Sequence, residues 1–296
     1  IMHFSPRLKT FGCVLCIIKM AGLKQLAKET AIYGLSSIVG KFLNWCLVPL
    51  YSYVLADASE YGIVTNLYAW TALVIIILTY GMETGFFRLV NNNPEDEMQT
   101  NRVYSTTLTS LAVTSVVFAV LCLSFRQNVA DLMGYGAHPE FIAMLGVAVA
   151  MDAFDSIPFS YLRYKNRPLT FAALKLFMIF VNIGCNLFFL VGCPMIMDWK
   201  PELIDWFYNP SYGVGYIFVS NVISTVSVTL ALLPFVFVGK WTFDWGLLKR
   251  MLGYSLPLLL LGIAGIMNQT VDKIIFPMVY PDAEEGMRQL GIYGAS

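Results

Sequence analysis

The sequence predicts an all-α integral membrane protein, a polytopic helical bundle of about seven transmembrane helices. Three observations carry that prediction. Of the 296 residues, 57% are hydrophobic and 13% charged, where soluble domains carry about 25% charged residues. The mean hydropathy is +0.66. Apolar stretches long enough to cross about 30 Å of hydrocarbon recur along the chain.

Residues 1–19 have a basic start and an apolar run too short to span, with no small-residue cleavage site after it. They read as an N-terminal extension, with Met20 opening the native protein. The spans then follow in order at 31–55, 63–87, 103–125, 141–162, 170–193, 213–238 and 252–279. The first carries Gly34, Gly40 and Pro49, the fourth Pro158, the fifth Gly184, the sixth Pro234, and the seventh Pro257, Gly262 and Gly265. Such residues are tolerated in membrane helices, and here they predict bent helices around a cavity. Between the fifth and sixth spans, residues 194–212 mix Trp, Tyr and Phe with acids, a pattern for a segment in the membrane interface or a plain connector with aromatic anchors.

Lys and Arg alternate between the connections. Thirteen lie in the N-terminal tail and the second, fourth and sixth loops, three in the other loops, and three (Lys41, Lys175 and Lys273) inside spans. The positive-inside rule then predicts a cytoplasmic N-terminus. Net charge is zero, so no basic field points to nucleic acid. The six cysteines sit mostly in apolar stretches as small hydrophobes. Cys13 and Cys16 form an isolated CxxC, and His3 and His138 are far apart, so neither a metal site nor a cofactor is expected.

A weak internal repeat pairs Tyr33-Gly34-Leu35-Ser36 and Glu60-Tyr61-Gly62 with Tyr254-Ser255-Leu256-Pro257 and Ile292-Tyr293-Gly294. Six spans separate the copies, so both have the same orientation, as in parallel-repeat transporters whose sites lie between the halves. The expected organisation is a six-helix lobe over 20–240 and, from 241 to 296, the start of a second lobe. An eighth span opens at Ile292-Tyr293-Gly294, and the chain reads as a fragment of a two-lobed protein with about 12–14 spans.

Leu26-Ala27-Lys28-Glu29-Thr30 with Tyr33-Gly34, the run Gly81-Met82-Glu83-Thr84-Gly85-Phe86-Phe87-Arg88, residues Asp152 to Pro168, and Phe171 to Leu187 with Lys175, Asn182 and Asn186 together resemble a known family. It is the lipid-linked oligosaccharide flippases, the O-antigen and capsule repeat-unit exporters of the multidrug/oligosaccharidyl-lipid/polysaccharide exporter superfamily. The resemblance covers the N-terminal half of such a transporter. It implies a non-enzymatic protein of the bacterial cytoplasmic membrane, moving an undecaprenyl-pyrophosphate-linked saccharide outward by alternating access.

Charged and amide side chains inside spans are the candidate functional residues, because each needs a partner, a wet cavity or a snorkelling route. Ser37, Lys41 and Asn44 share a face of the first span, either lining a cavity or letting Lys41 snorkel. Asp152 and Asp155, three apart, are candidates for H+ or Na+ coupling or for a structural pair with Lys41. Lys175, Asn182 and Asn186 form one stripe, where the amides either meet sugar hydroxyls or join helices. Glu83, Arg88, Arg163 and Lys175 are expected at one end as a basic vestibule for a pyrophosphate, Arg supplying a planar fork. Asp272 is placed near the opposite rim, as an ion pair or a release site. A cation-coupled multidrug exporter, using Asp152 and Asp155 for cationic drugs, is the alternative. A membrane glycosyltransferase or polymerase is the third reading, disfavoured because no sizeable loop carries a catalytic cluster.

Overall fold

The computed structural model describes residues 30–295 except 36, 37, 44, 56, 93–95, 201, 203 and 238–240. The 1–19 extension, the CxxC pair, Ser37 and Asn44 lie outside the described residues. The described chain is helical, without strands, and seven helical stretches are long and apolar enough to cross a membrane. The helices are α1 (Thr30–Val54), α2 (Ala58–Thr79), α3 (Met82–Asn92), α4 (Glu97–Ser124), α5 (Arg126–Met133), α6 (Pro139–Tyr164), α7 (Pro168–Leu187), α8 (Cys193–Trp199), α9 (Gly215–Val236), α10 (Trp245–Val279) and α11 (Ala283–Ala295).

Local chemistry sets the helix ends. Asp57 accepts from the Ala58 amide, Asp96 from Gln99 and Asp244 from Leu247, each a side chain answering an amide that has no partner within the helix. Pro139 and Pro168 begin α6 and α7, where their missing N–H costs nothing. At Tyr80 and Gly81 the backbone turns left-handed and divides one apolar stretch into α2 and α3.

The spine is α6, which packs against α2, α4 and α9, while α9 also packs on α7. At the end bearing the basic loops, Phe86, Tyr104, Leu108, Ile157 and Met251 bury one core. At the other end Leu67, Phe141, Leu190, Ile217 and Phe218 bury a second. Helix α7 widens into a π turn at Phe188–Gly192 before α8. The 194–212 segment is therefore not a plain connector: its start is helical, Ile204 and Tyr208 are buried in the second core, and Trp199 and Trp206 remain exposed. Burial pushes the phenols of Tyr208 and Tyr212 above their ordinary range.

Helices α10 and α11 form a hairpin fastened to α2 and α3 at both ends. At the basic end, a Cβ on Gly81 would come within 2.9 Å of the Ser255 carbonyl, and one on Gly85 within 2.5 Å of its hydroxyl. Arg88 stacks 3.8 Å from the centre of the Tyr254 ring. At the other end α2 and α11 touch backbone to backbone, because a Cβ on Gly62 would collide with the Met287 carbonyl and one on Gly291 with that of Ala58. Small residues allow such approach between membrane helices.

One expectation needs correcting. The last helix begins at Ala283, so Ile292-Tyr293-Gly294 lies inside α11, whereas Glu60-Tyr61-Gly62 sits in the first turns of α2. The two copies of the repeat do not occupy equivalent positions in their helices.

Candidate functional site

Two polar regions run through the bundle. The first is a charged cluster between α3, α6 and α7. Arg163 Nη2 donates to Glu83 Oε2 at 2.9 Å, and Ser160 donates to the same oxygen at 3.2 Å. Lys175 places its ammonium 4.1 Å from the centre of the Phe159 ring. That ammonium interacts electrostatically with Asp152, Asp155, Glu83 and Arg163. Asp155 is 2% exposed; its Oδ2 accepts from Thr229 at 2.7 Å, while Oδ1 has no hydrogen-bond partner among the described residues.

The cluster thus holds the carboxylates Glu83, Asp152 and Asp155 against the cations Arg163 and Lys175. Among the described residues the cluster has one carboxylate more than cations, and at the buried Asp155 an unpaired charge is costly. A proton or a cation is the chemical complement of that excess. Among the described residues no group of His, Cys, Asp and Glu is arranged to hold a metal ion.

The second region is a cavity of about 560 Å³ between helices α1, α2, α7 and α9 and the α10–α11 hairpin, within the range of small-molecule sites. Helix α2 gives it Tyr61, Thr65 and Tyr68; α10 gives Gln269, Thr270 and Lys273; Tyr51, Asn182 and Asn221 come from α1, α7 and α9. Among the described residues its lining has phenols, amides, hydroxyls and the Lys273 ammonium beside aliphatic side chains, and no carboxylate. Phenols and amides both donate and accept hydrogen bonds, and tyrosine rings add apolar faces. Such a surface suits a hydroxylated cargo.

The sequence candidates divide between these regions. Glu83, Arg163, Asp152, Asp155 and Lys175 come together as one cluster. Lys41 does not join it: it is exposed on α1, and Lys175 is the ammonium beside the two aspartates. Arg88 is exposed and stacks on Tyr254 rather than meeting Arg163 and Glu83. Asn182 lines the cavity, whereas Asn186 is fully buried, accepting from Tyr51 at 3.1 Å and donating to the Asn182 side chain at 2.8 Å. Asn186 therefore joins α7 to α1. Asp272 is exposed and accepts from Tyr293 on α11 at 2.7 Å, so its hydrogen-bond partner is a phenol, with the neighbouring Lys273 charge acting on it as well.

Sequence reasoning passed over Tyr51, Tyr61, Tyr68, Asn221, Thr225, Thr229 and, as a lining residue, Lys273. One signal was available: Asn221, Thr225 and Thr229 repeat every four residues along α9, the spacing of one helical face. That face looks at both regions, with Asn221 in the cavity and Thr229 on Asp155. The tyrosines gave no such signal, since aromatic residues are common in spans and interfaces alike. Comparison with protein-family models, curated proteins and solved structures gave no match.

Proposed function

We propose that this protein is a transporter that carries a lipid-linked saccharide across the bacterial cytoplasmic membrane by alternating access, and that the cavity between the lobe and the α10–α11 hairpin receives the saccharide. One observation carries the reading: polar side chains from five spans converge on a single chamber lined by tyrosines, amides and Lys273, although each one is costly in lipid. Sugar hydroxyls match the amides and phenols, and Lys273 offers a counter-charge to a phosphate or acidic group. Arg88, exposed at the basic end, is suited to gathering a pyrophosphate from the leaflet facing the basic loops, which the positive-inside rule makes the cytoplasmic one.

The charged cluster drives the cycle in this reading. Its surplus carboxylate takes up a proton in one conformation and releases it in another, with Asp155 as the acceptor because one of its oxygens lacks a hydrogen-bond partner among the described residues. The drug-exporter alternative draws less support, since among the described residues the cavity lining holds no carboxylate to attract a cationic drug.

The test is reconstitution of the natural full-length protein in vesicles with a fluorescent pyrophosphate-linked saccharide. Translocation that depends on a proton gradient and falls at least about tenfold in Asn182→Ala/Gln269→Ala is the expected result, about 1.4 kcal/mol of lost transition-state binding. No translocation by the intact protein, or full translocation by that double variant, would overturn the reading.

A further inference from the structure

Helix α10 contains Pro277, which has no N–H to give to the carbonyl of Lys273 four residues earlier. That carbonyl is nevertheless satisfied. Asn66, on α2 and 4% exposed, donates its Nδ2 to it at 2.8 Å. The Asn66 Oδ1 in turn accepts from the Tyr135 hydroxyl at 2.9 Å. Tyr135 lies in the turn after α5, and its phenol is pushed up by burial, so it remains a donor at ordinary pH.

The position of this chain of bonds gives it meaning. Lys273, Thr270 and Gln269 line the polar cavity on one face of α10. Ile274, Pro277 and Met278 line a separate apolar pocket of about 740 Å³ with Asn66, Trp70 and Met287. Asn66 thus stands where α2 meets α10, on the partition between the two spaces. Beyond Pro277 the chain leads directly into α11, whose Gly291 packs on Ala58. At the proline α10 can bend without losing a helical hydrogen bond, and the glycine contact is backbone packing without a side-chain bond. The hydrogen bond from Asn66 is therefore a polar tie from α2 to the α10 backbone at the proline turn, and the Tyr135 hydroxyl behind it also lies 3.8 Å from Met287 Sδ on α11.

We propose that Asn66 is a latch: its bond to the Lys273 carbonyl holds the end of α10 and all of α11 against α2, and it breaks when the cavity opens at the end opposite the basic loops. The inference rests on the transport reading given above. With the latch broken, α10 bends over the turn from Lys273 to Pro277, where the helical hydrogen bond is missing, and the end of α10 moves away from α2 together with α11, so that the Gly62 and Gly291 surfaces part. Tyr135 is a positioning residue that orients the Asn66 amide so that its NH₂, not its oxygen, faces α10.

The test needs no substrate. In a full-length protein with its native cysteines replaced, Ala69→Cys puts a thiol in the cavity lining. A membrane-impermeant maleimide is then applied from the side opposite the basic loops. Asn66→Ala is expected to raise the labelling rate about tenfold, the shift produced by losing one buried hydrogen bond. Tyr135→Phe, which deletes only a hydroxyl, is expected to raise it several-fold and keeps the test open if the Asn66 variant does not fold. An unchanged or lower rate in the folded variants overturns the latch. Unchanged labelling with intact saccharide transport removes the latch alone, whereas raised labelling without saccharide transport leaves the latch standing and removes the cargo.

Discussion

The charged cluster and the polar cavity are both built inside apolar helices, yet they solve the cost of polarity in opposite ways. In the cluster, charges are matched against one another within a few residues of α3, α6 and α7, and the remaining carboxylate oxygen of Asp155 is left without a hydrogen-bond partner among the described residues. In the cavity the lining among the described residues is neutral apart from Lys273, and none of them brings a carboxylate to the space. The charged side chains and the neutral polar ones thus gather at different helix interfaces. Helices α7 and α9 touch both, through Lys175 and Asn182 on one and Thr229 and Asn221 on the other. A change of charge in the cluster has a short mechanical route to the cavity wall along either helix.

The sharpest way to break this contrast is to unbalance the cluster. Lys175→Met removes the cation that Asp152 and Asp155 feel and should cost up to about 3 kcal/mol, the lower end of the loss when one member of a set of buried charges is deleted. Adding Asp155→Asn should recover part of that loss in a detergent melting curve. If Lys175→Met melts like the wild type, the charges are solvated and the cluster is not a closed unit.

The seam against α11 comes next. Gly62→Leu pushes a side chain into the Met287 carbonyl and should cost about 3 kcal/mol through overpacking, read as a lower melting temperature. The same change at Gly184, beside whose Cα there is open space, should be nearly silent.

Two neighbouring amides then separate structure from cargo. Asn186→Ala strands the Tyr51 hydroxyl and should lower stability by about 2 kcal/mol. Asn182→Ala, whose side chain borders the cavity, should stay within about 1 kcal/mol of wild type and weaken saccharide binding instead. Equal melting temperatures for both would dissolve the distinction between joint and lining.

The smallest effect lies outside both regions. Hydrogen bonds from Ser59 and the Ala58 amide, with Arg288 nearby, hold the Asp57 carboxyl below the usual carboxylate range. Its contribution to the start of α2 is complete above the ordinary carboxylate pKa and is lost as pH falls through the lowered value. Asp57→Asn should flatten that acid limb in melting curves recorded against pH, by slightly lowering stability at neutral pH and leaving the acid end unchanged.

Much of the architecture was legible because a bilayer imposes it. Seven apolar stretches read from composition and length coincide with the seven long helices, within a few residues at most ends. The cluster was partly legible too: Asp152, Asp155, Glu83, Arg163 and Lys175 each carry a charge that membrane helices do not hold idly. Partnership was not legible. Lys41 and Lys175 look alike in sequence, and only packing decides that Lys175 is the one whose charge the aspartates feel. The cavity was least legible, since tyrosines and threonines are unremarkable in a span until helices distant in sequence face one another. The repeat misled for a related reason: a shared tripeptide does not fix its register within a helix, and α11 starts nine residues before its copy.

The contact between Asn66 and the Lys273 carbonyl spans 207 residues of sequence. Synthesised from the N-terminus, the chain exposes the glycine face of α2 long before its partner hairpin exists. Four later spans must insert and pack around that gap. The last step of assembly is then a docking event, and a nascent chain stalled before α10 would present the lipid with a bare groove, a natural handle for an insertion chaperone or a quality-control protease.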